Sequence, residues 1–340
     1  MKLFISILSS LLLSLQGLAV ASVHVVQSTE PDHDRWMYPF NGTPGLRAVG
    51  STFTAYGSEY DFFDNRDGQM LLGFMTGDSV PMGFGPSSYQ VIAASVSIMI
   101  ESDHIIYDPS ADGWETYLEG GPADEDAGRA TVISGAGFRG GYDGWSFNET
   151  GLHGPIEVEG RNVYPVDFTP DGIARDISNN ITNEFDPAVF GTARTDDVTP
   201  GEIMPMLTRL VLELDVADPD IQCYLRTAMD DGLLSLVMTS MHPAEEPGQG
   251  GGVYPDWISK ENSLVAFGFA EAAGLQLEVE LVEPSGVDAD VDADGLVDVS
   301  DLLHVISDWG RCPCCPSDID GNGQVDVTDL LAVIANWGGV

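Results

Sequence analysis

The sequence predicts a mainly β protein: an antiparallel β-sandwich body followed by a small α-helical module of two loop–helix repeats. Three observations predict it. Segments of the body alternate apolar and polar residues with period two, the pattern of strands with one buried and one wet face. Glycine and proline punctuate the gaps between those segments. The C-terminus overlays on itself at an offset of 28 residues, so that 13 of the 21 positions from 290 to 310 are identical in the second copy.

The chain opens Met1-Lys2-Leu3, with one positive charge and an apolar run from Leu3 to Leu15, and then Ala19-Val20-Ala21. This predicts a secretory signal peptide over residues 1–21, cleaved after Ala21. The run is shorter than the ~20 apolar residues that span a bilayer. No later segment is long and apolar enough to span one, so the expectation is a secreted, extracellular protein with cell-surface attachment left open.

Residues 22–283 read as the β-sandwich body. Ile92, Ala94, Val96, Ile98 and Ile100 fall on one face, with Ser95 and Ser97 opposite. Leu210, Leu212, Leu214 and Val216 form a second such series. Leu234, Leu236 and Met238 alternate with Ser235, Val237 and Thr239. Leu275, Leu277, Val279 and Leu281 alternate with Gln276, Glu278 and Glu280. Apolar runs at 70–74, 104–107, 130–134 and 264–269 are expected as further strands. One helix is predicted between strands: Asp218 caps it, Pro219 fills its first turn, Ile221, Tyr224, Leu225, Ala228 and Met229 share a face, and Gly232 ends it. Two long loops, 108–130 and 241–256, are rich in Asp, Gly, Glu or Pro. Such loops carry binding sites or serve as surface connections.

Parts of this body resemble DNRLRE-type surface domains. The matching segments are 66–74 (RDGQMLLGF), Val80-Pro81, 93–100 (AASVSIMI) and 212–236 (LELDVADPDIQCYLRTAMDDGLLSL). The resemblance implies a jelly-roll-like sandwich of the kind found on secreted and cell-surface proteins. It covers a small part of the body, and Tyr224-Leu225 stand where that family has a Trp.

The net charge is −41, from 54 acidic and 13 basic residues. Such a surface repels phosphate backbones and excludes nucleic acid as a partner. A hydrophobic content of 43% argues for a packed core rather than disorder. Three of the four cysteines cluster in Cys312-Pro313-Cys314-Cys315, and the fourth is Cys223. A local disulfide is expected within the cluster, with zinc as the alternative and Cys223 expected as a buried thiol. The pairing stays open.

Residues 284–289 form a linker, and 290–340 hold the repeats, 290–310 and 318–338. Each begins with the spacing of a calcium loop. Asp290, Asp292, Asp294, the Leu296 carbonyl, Asp298 and Asp301 occupy positions 1, 3, 5, 7, 9 and 12 of an EF-hand loop. Gly295 sits at the turn. The second set is Asp318, Asp320, Asn322, the Gln324 carbonyl, Asp326 and Asp329, with Gly323. Calcium takes six to eight oxygens, and glycine permits the sharp turn between them. Two Ca²⁺ sites are therefore expected, with Val297 and Val325 bridging the loops. Position 12 is Asp rather than Glu. Pro284, Pro313 and Pro316 leave no room for a helix before either loop.

A loop with only an exiting helix, in two copies with Asp at position 12, resembles the bacterial type I dockerin. The resemblance implies an antiparallel helix pair that binds a cohesin-like partner on a scaffold or cell surface. It places the partner contact at Val299-Ser300 and Val327-Thr328, near-identical in the copies. It also implies tethering of a protein that acts on polysaccharide. Trp309 and Trp337 are expected in the core of the helix pair, with a partner-facing role as the alternative.

The body presents no catalytic signature: its histidines lack metal-site spacing, and no nucleophile motif occurs. Trp36, Tyr38, Trp114, Tyr142, Trp145, Tyr254 and Trp257 suit sugar stacking or loop anchoring. The favoured reading is a non-catalytic displayed protein. The alternatives are a carbohydrate-binding module, or a glycoside hydrolase or lyase of extracellular polysaccharide breakdown.

Overall fold

In the computed structural model the described residues are 21–39, 41–42, 44–54, 68–118, 120–155, 158–244, 252–282 and 289–338. All but the last residue of the expected signal peptide, residues 66–67, the middle of the 241–256 loop and nearly all of the 284–289 linker lie outside them. The described residues divide into two units. One is Ser22–Leu281 together with Pro313–Cys315, and the other takes in the described residues of Val282–Cys312 and Pro316–Val340.

The body's strands are β1 (Ser22–Ser28), β2 (His33–Met37), β3 (Val49–Ser51), β4 (Gln69–Met75), β5 (Tyr89–Met99), β6 (Thr131–Phe138) and β7 (Val163–Phe168). After them come β8 (Ala174–Asp176), β9 (Gly191–Arg194), β10 (Arg209–Glu213), β11 (Leu233–Ser240), β12 (Asp256–Ile258) and β13 (Gly274–Leu281). Its helices are α1 (Gly144–Phe147), α2 (Pro219–Asp231) and α3 (Ser263–Ala266). Eleven of these strands make one antiparallel sheet, ordered β1-β13-β5-β10-β9-β6-β11-β4-β2, with β7 and β8 branching from β6. The sheet curls on itself: Leu72 and Phe74 of β4 and Leu236 of β11 share one buried cluster with Val96 of β5, Leu212 of β10 and Leu277 of β13.

Strands β10 and β13 follow the expected alternation, with Leu210, Leu212, Leu275, Leu277, Val279 and Leu281 buried. In β5 the alternation breaks. Ala93 pairs with Glu278 and Val91 with Val279, so Ile92 is skipped by the ladder. The extra residue is a bulge, and it inverts the facing on one side of itself. Val91 and Tyr89 are buried in consequence, and Ile92 is 43% exposed. Strand β11 departs further, because Ser235, Val237 and Thr239 are buried as well. A second small cluster of Met37, Leu71, Ala136, Phe147, Val163 and Val237 covers that face.

The predicted helix is α2. The Asp218 carboxylate accepts from the Asp220 and Ile221 N–H groups, and Gly232 ends the helix at φ 78°. Gln222 fixes it to β5, accepting from Val91 N–H and donating to Val91 O, each at 2.9 Å. Two expected strands are not strands. Of 104–107, Ile106 makes a single bridge to Ile203. The 264–269 run is α3 and its exit turn, capped by Asn262, whose side chain accepts from Leu264 N–H. Asn262 and the downstream turn redirect the chain before it can extend.

The cysteines correct a further expectation. Cys223 of α2 is bonded to Cys314, across 91 residues of sequence, and is not a free thiol. Arg226 Nη1, one turn along α2, donates to Cys314 O at 2.7 Å. Cys312 and Cys315 are also disulfide-bonded, which leaves no thiolate for zinc. Among the described residues no helix is long and apolar enough to cross a membrane.

Candidate metal centre

The C-terminal unit holds helices α4 (Val299–Ser307) and α5 (Val327–Ala335) and the short strands β14 (Gly310–Arg311) and β15 (Gln324–Val325). Both loops fold by the same hydrogen bonds. Asp290 accepts from Asp294 N–H at 3.1 Å and Gly295 N–H at 2.9 Å. Asp318 accepts from Asn322 N–H at 3.0 Å and Gly323 N–H at 2.7 Å. Leu296 and Gln324 each donate N–H, at 2.8 Å, to the side-chain oxygen two residues before, on Asp294 and Asn322. These bonds wrap the backbone around its own carboxylates, so the first and third side chains converge in both loops, joined by the fifth in the first loop and by the twelfth in the second.

The position-12 carboxylates are bound by backbone N–H groups. Asp301 is fully buried and accepts from Val291, Asp292 and Asp298 N–H at 2.7, 3.3 and 2.8 Å. Asp329 does the same for Ile319, Asp320 and Asp326 at 2.8, 3.2 and 2.8 Å. Each therefore clasps the start of its loop to the start of its helix. The shorter Asp side chain suits that inward position. Asp298 and Asp326, expected as position-9 ligands, are the helix N-caps, accepting from Ser300 N–H at 2.7 Å and Thr328 N–H at 2.6 Å. Each forms a capping box with the position-12 residue.

Ligand oxygens of Asp290, Asp292 and Asp294 lie within 4.8 Å of one another, and so do those of Asp318, Asp320 and Asp329. Burial raises the pKa of Asp292 and Asp318 from the ordinary carboxylate value, with neighbouring carboxylates adding to the shift and backbone N–H donors opposing it. A donor set made only of oxygens, crowded and negatively charged, fits a hard divalent cation.

The two halves lock together differently from expectation. Val325 pairs with Gly310, and Gly338 N–H donates to Val297 O at 2.9 Å. Each position-8 valine thus meets the glycine that follows the other helix, rather than the other loop. The end of α4 lies beside the start of α5 and the reverse, so the helices run antiparallel. Val305 and Val333 are fully buried, while Trp309 and Trp337 are 53% and 52% exposed and do not close the core. Val299, Leu303 and Ile306 on α4, and Val327, Leu331 and Ile334 on α5, are likewise half-exposed. The repeated Trp-Gly was legible as a repeat, but its pairing role was not.

In the body, a surface groove of about 670 Å³ is lined in part by Arg35, Tyr38, Asn41, Tyr142, Glu149 and His153. Beside it, Asp34, Glu149 and Glu261 bring carboxylate oxygens within 4.8 Å. Burial, with Glu261 adding to it, pushes Asp34 up to about 8. Asp34 is only 1% exposed, and Lys260 Nζ pairs with Glu149, so this group does not offer two free carboxylates to the groove. Of the aromatic residues expected at loop surfaces, Trp257 is fully buried and Trp36 stacks on Tyr38 at 4.8 Å. No family model, no curated protein and no solved structure matches the chain.

Proposed function

We propose that this is a secreted or cell-surface protein with a jelly-roll-like sandwich body, displayed through a calcium-dependent, dockerin-like C-terminal module. What carries this reading is the pair of loops: one hydrogen-bond pattern, repeated residue for residue, converges side-chain oxygens twice in one small unit. With calcium bound, Asp290, Asp292 and Asp294, and Asp318, Asp320 and Asn322, hold the ions, and the metal neutralises charge that otherwise opposes the loops' order. The antiparallel helices then present matching apolar stripes, with Val299-Ser300 and Val327-Thr328 at their starts. A surface with this internal symmetry suits one partner in two orientations, of which a cohesin-like domain is the proposed kind. The disulfides support an oxidising, extracellular location.

Titration calorimetry of the chelator-treated full chain tests the metal reading. Asp290→Ala combined with Asp318→Ala is expected to remove two equivalents of bound calcium. Unchanged stoichiometry would overturn it.

A carbohydrate-binding body is the second reading, favoured by the groove that Tyr38, Tyr142, Asn41 and Arg35 line. Aromatic side chains lining a concave surface are the chemistry of sugar recognition. A glycan array on the intact protein, compared with Tyr142→Ala, checks it.

A further inference from the structure

The 108–130 loop, singled out in the sequence but not used by the C-terminal module, brings three carboxylates together. Ligand oxygens of Asp108, Asp112 and Asp126 lie within 4.8 Å of one another. That is about twice a calcium–oxygen distance of ~2.4 Å, the span across one ion. Asp108 is only 5% exposed, and its Oδ2 is buried with no hydrogen-bond partner among the described residues. Ser110 Oγ lies 2.6 Å from Asp108 Oδ1 and 2.6 Å from Asp126 Oδ2. Asp108 Oδ1 also accepts from Ser110 N–H at 2.8 Å, so the oxygen left without a donor is the buried Oδ2. Gly128, at φ 114°, lets the second half of the loop close on Asp108: a Cβ there would stand 3.0 Å from Asp108 Cβ and 3.1 Å from Ile106 O.

The cation already present does not resolve this. Arg129 Nη1 lies 3.5 Å from Asp112 and 3.2 Å from Asp124, and among the described residues no ion pair joins it to Asp108 or Asp126. An ionised carboxylate in a buried site demands a counter-charge or a proton. All-oxygen donors at this spacing select a hard cation over a transition metal.

We propose that Asp108, Asp112 and Asp126 form a third calcium site in the body, with the Ser110 hydroxyl as a neutral oxygen beside it. The site ties both halves of the loop to the end of the Ile106 bridge. It is independent of the C-terminal loops, and the test separates the two. Calcium is titrated into the chelator-treated full chain carrying Asp290→Ala and Asp318→Ala. One equivalent is expected to remain, and adding Asp126→Asn, at an exposed position, is expected to abolish it. In the otherwise unmodified chain, Asp126→Asn alone is expected to lower the stoichiometry by one. No residual binding in the double variant, or unaltered binding with Asp126→Asn in both backgrounds, would overturn the proposal, whatever the C-terminal loops do.

Discussion

Ala293 and Gly321 occupy the same place in the two loops, and both adopt positive φ, 55° and 72°. Glycine does so freely, whereas a residue with Cβ does so at a cost of roughly 1–2 kcal/mol. Ala293→Gly should therefore stabilise the first loop by up to about 1 kcal/mol, read as a higher urea midpoint of the C-terminal unit. Asp34 offers a test by pH. Its folded-state pKa, raised to about 8 by burial, with Glu261 adding to this and Lys260 opposing it, lies above the unfolded value. The folded chain then holds a proton that the unfolded chain releases. Stability from this group is full below the ordinary carboxylate range and is lost as pH rises through 8. Asp34→Asn should flatten that fall between about pH 4 and 8 in thermal melts.

Helix α2 is the element on which much of the body converges. Its Gln222 bonds to β5, and Tyr224 Oη donates to Ser235 O of β11 at 2.5 Å and accepts from Ala136 N–H of β6 at 2.8 Å. Burial pushes the Tyr224 hydroxyl far up, keeping it a neutral donor. The same helix carries Cys223, whose bond to Cys314 closes a loop of 91 residues. In the chain-entropy view, a closure of that length is worth about 4–5 kcal/mol through restriction of the unfolded chain. Cys223→Ser should lower unfolding free energy by roughly 2–5 kcal/mol in denaturant titrations run without reductant. A change below 1 kcal/mol would mean that the bridge constrains little.

Across the whole molecule, 54 carboxylates against 13 basic groups make charge the common theme, and the structure handles it in two ways. Lys260 and Arg129 each pair with a member of a carboxylate trio in the body, Glu149 and Asp112. Backbone N–H groups answer the carboxylates of the C-terminal loops. The Asp108 group has neither answer in full.

The sequence by itself determined what depends on neighbours along the chain. The caps and glycine stop of α2, the alternation of β10 and β13, and both acidic loops are local, because a cap, a strand face and a loop wrapped on its own carboxylates are each set within about a dozen residues. The tertiary structure decided what depends on distant partners. The bulge at Ile92 is defined by its register against β13, 186 residues away at Glu278. Burial of the second face of β11 needs Met37 and Phe147 from elsewhere. The pairing of Cys223 with Cys314, and of each valine with the glycine beyond the other helix, joins residues that no spacing rule connects. The two loop–helix units were thus readable as a repeat. Only the fold revealed that their tryptophans face outward and their glycines hold the halves together.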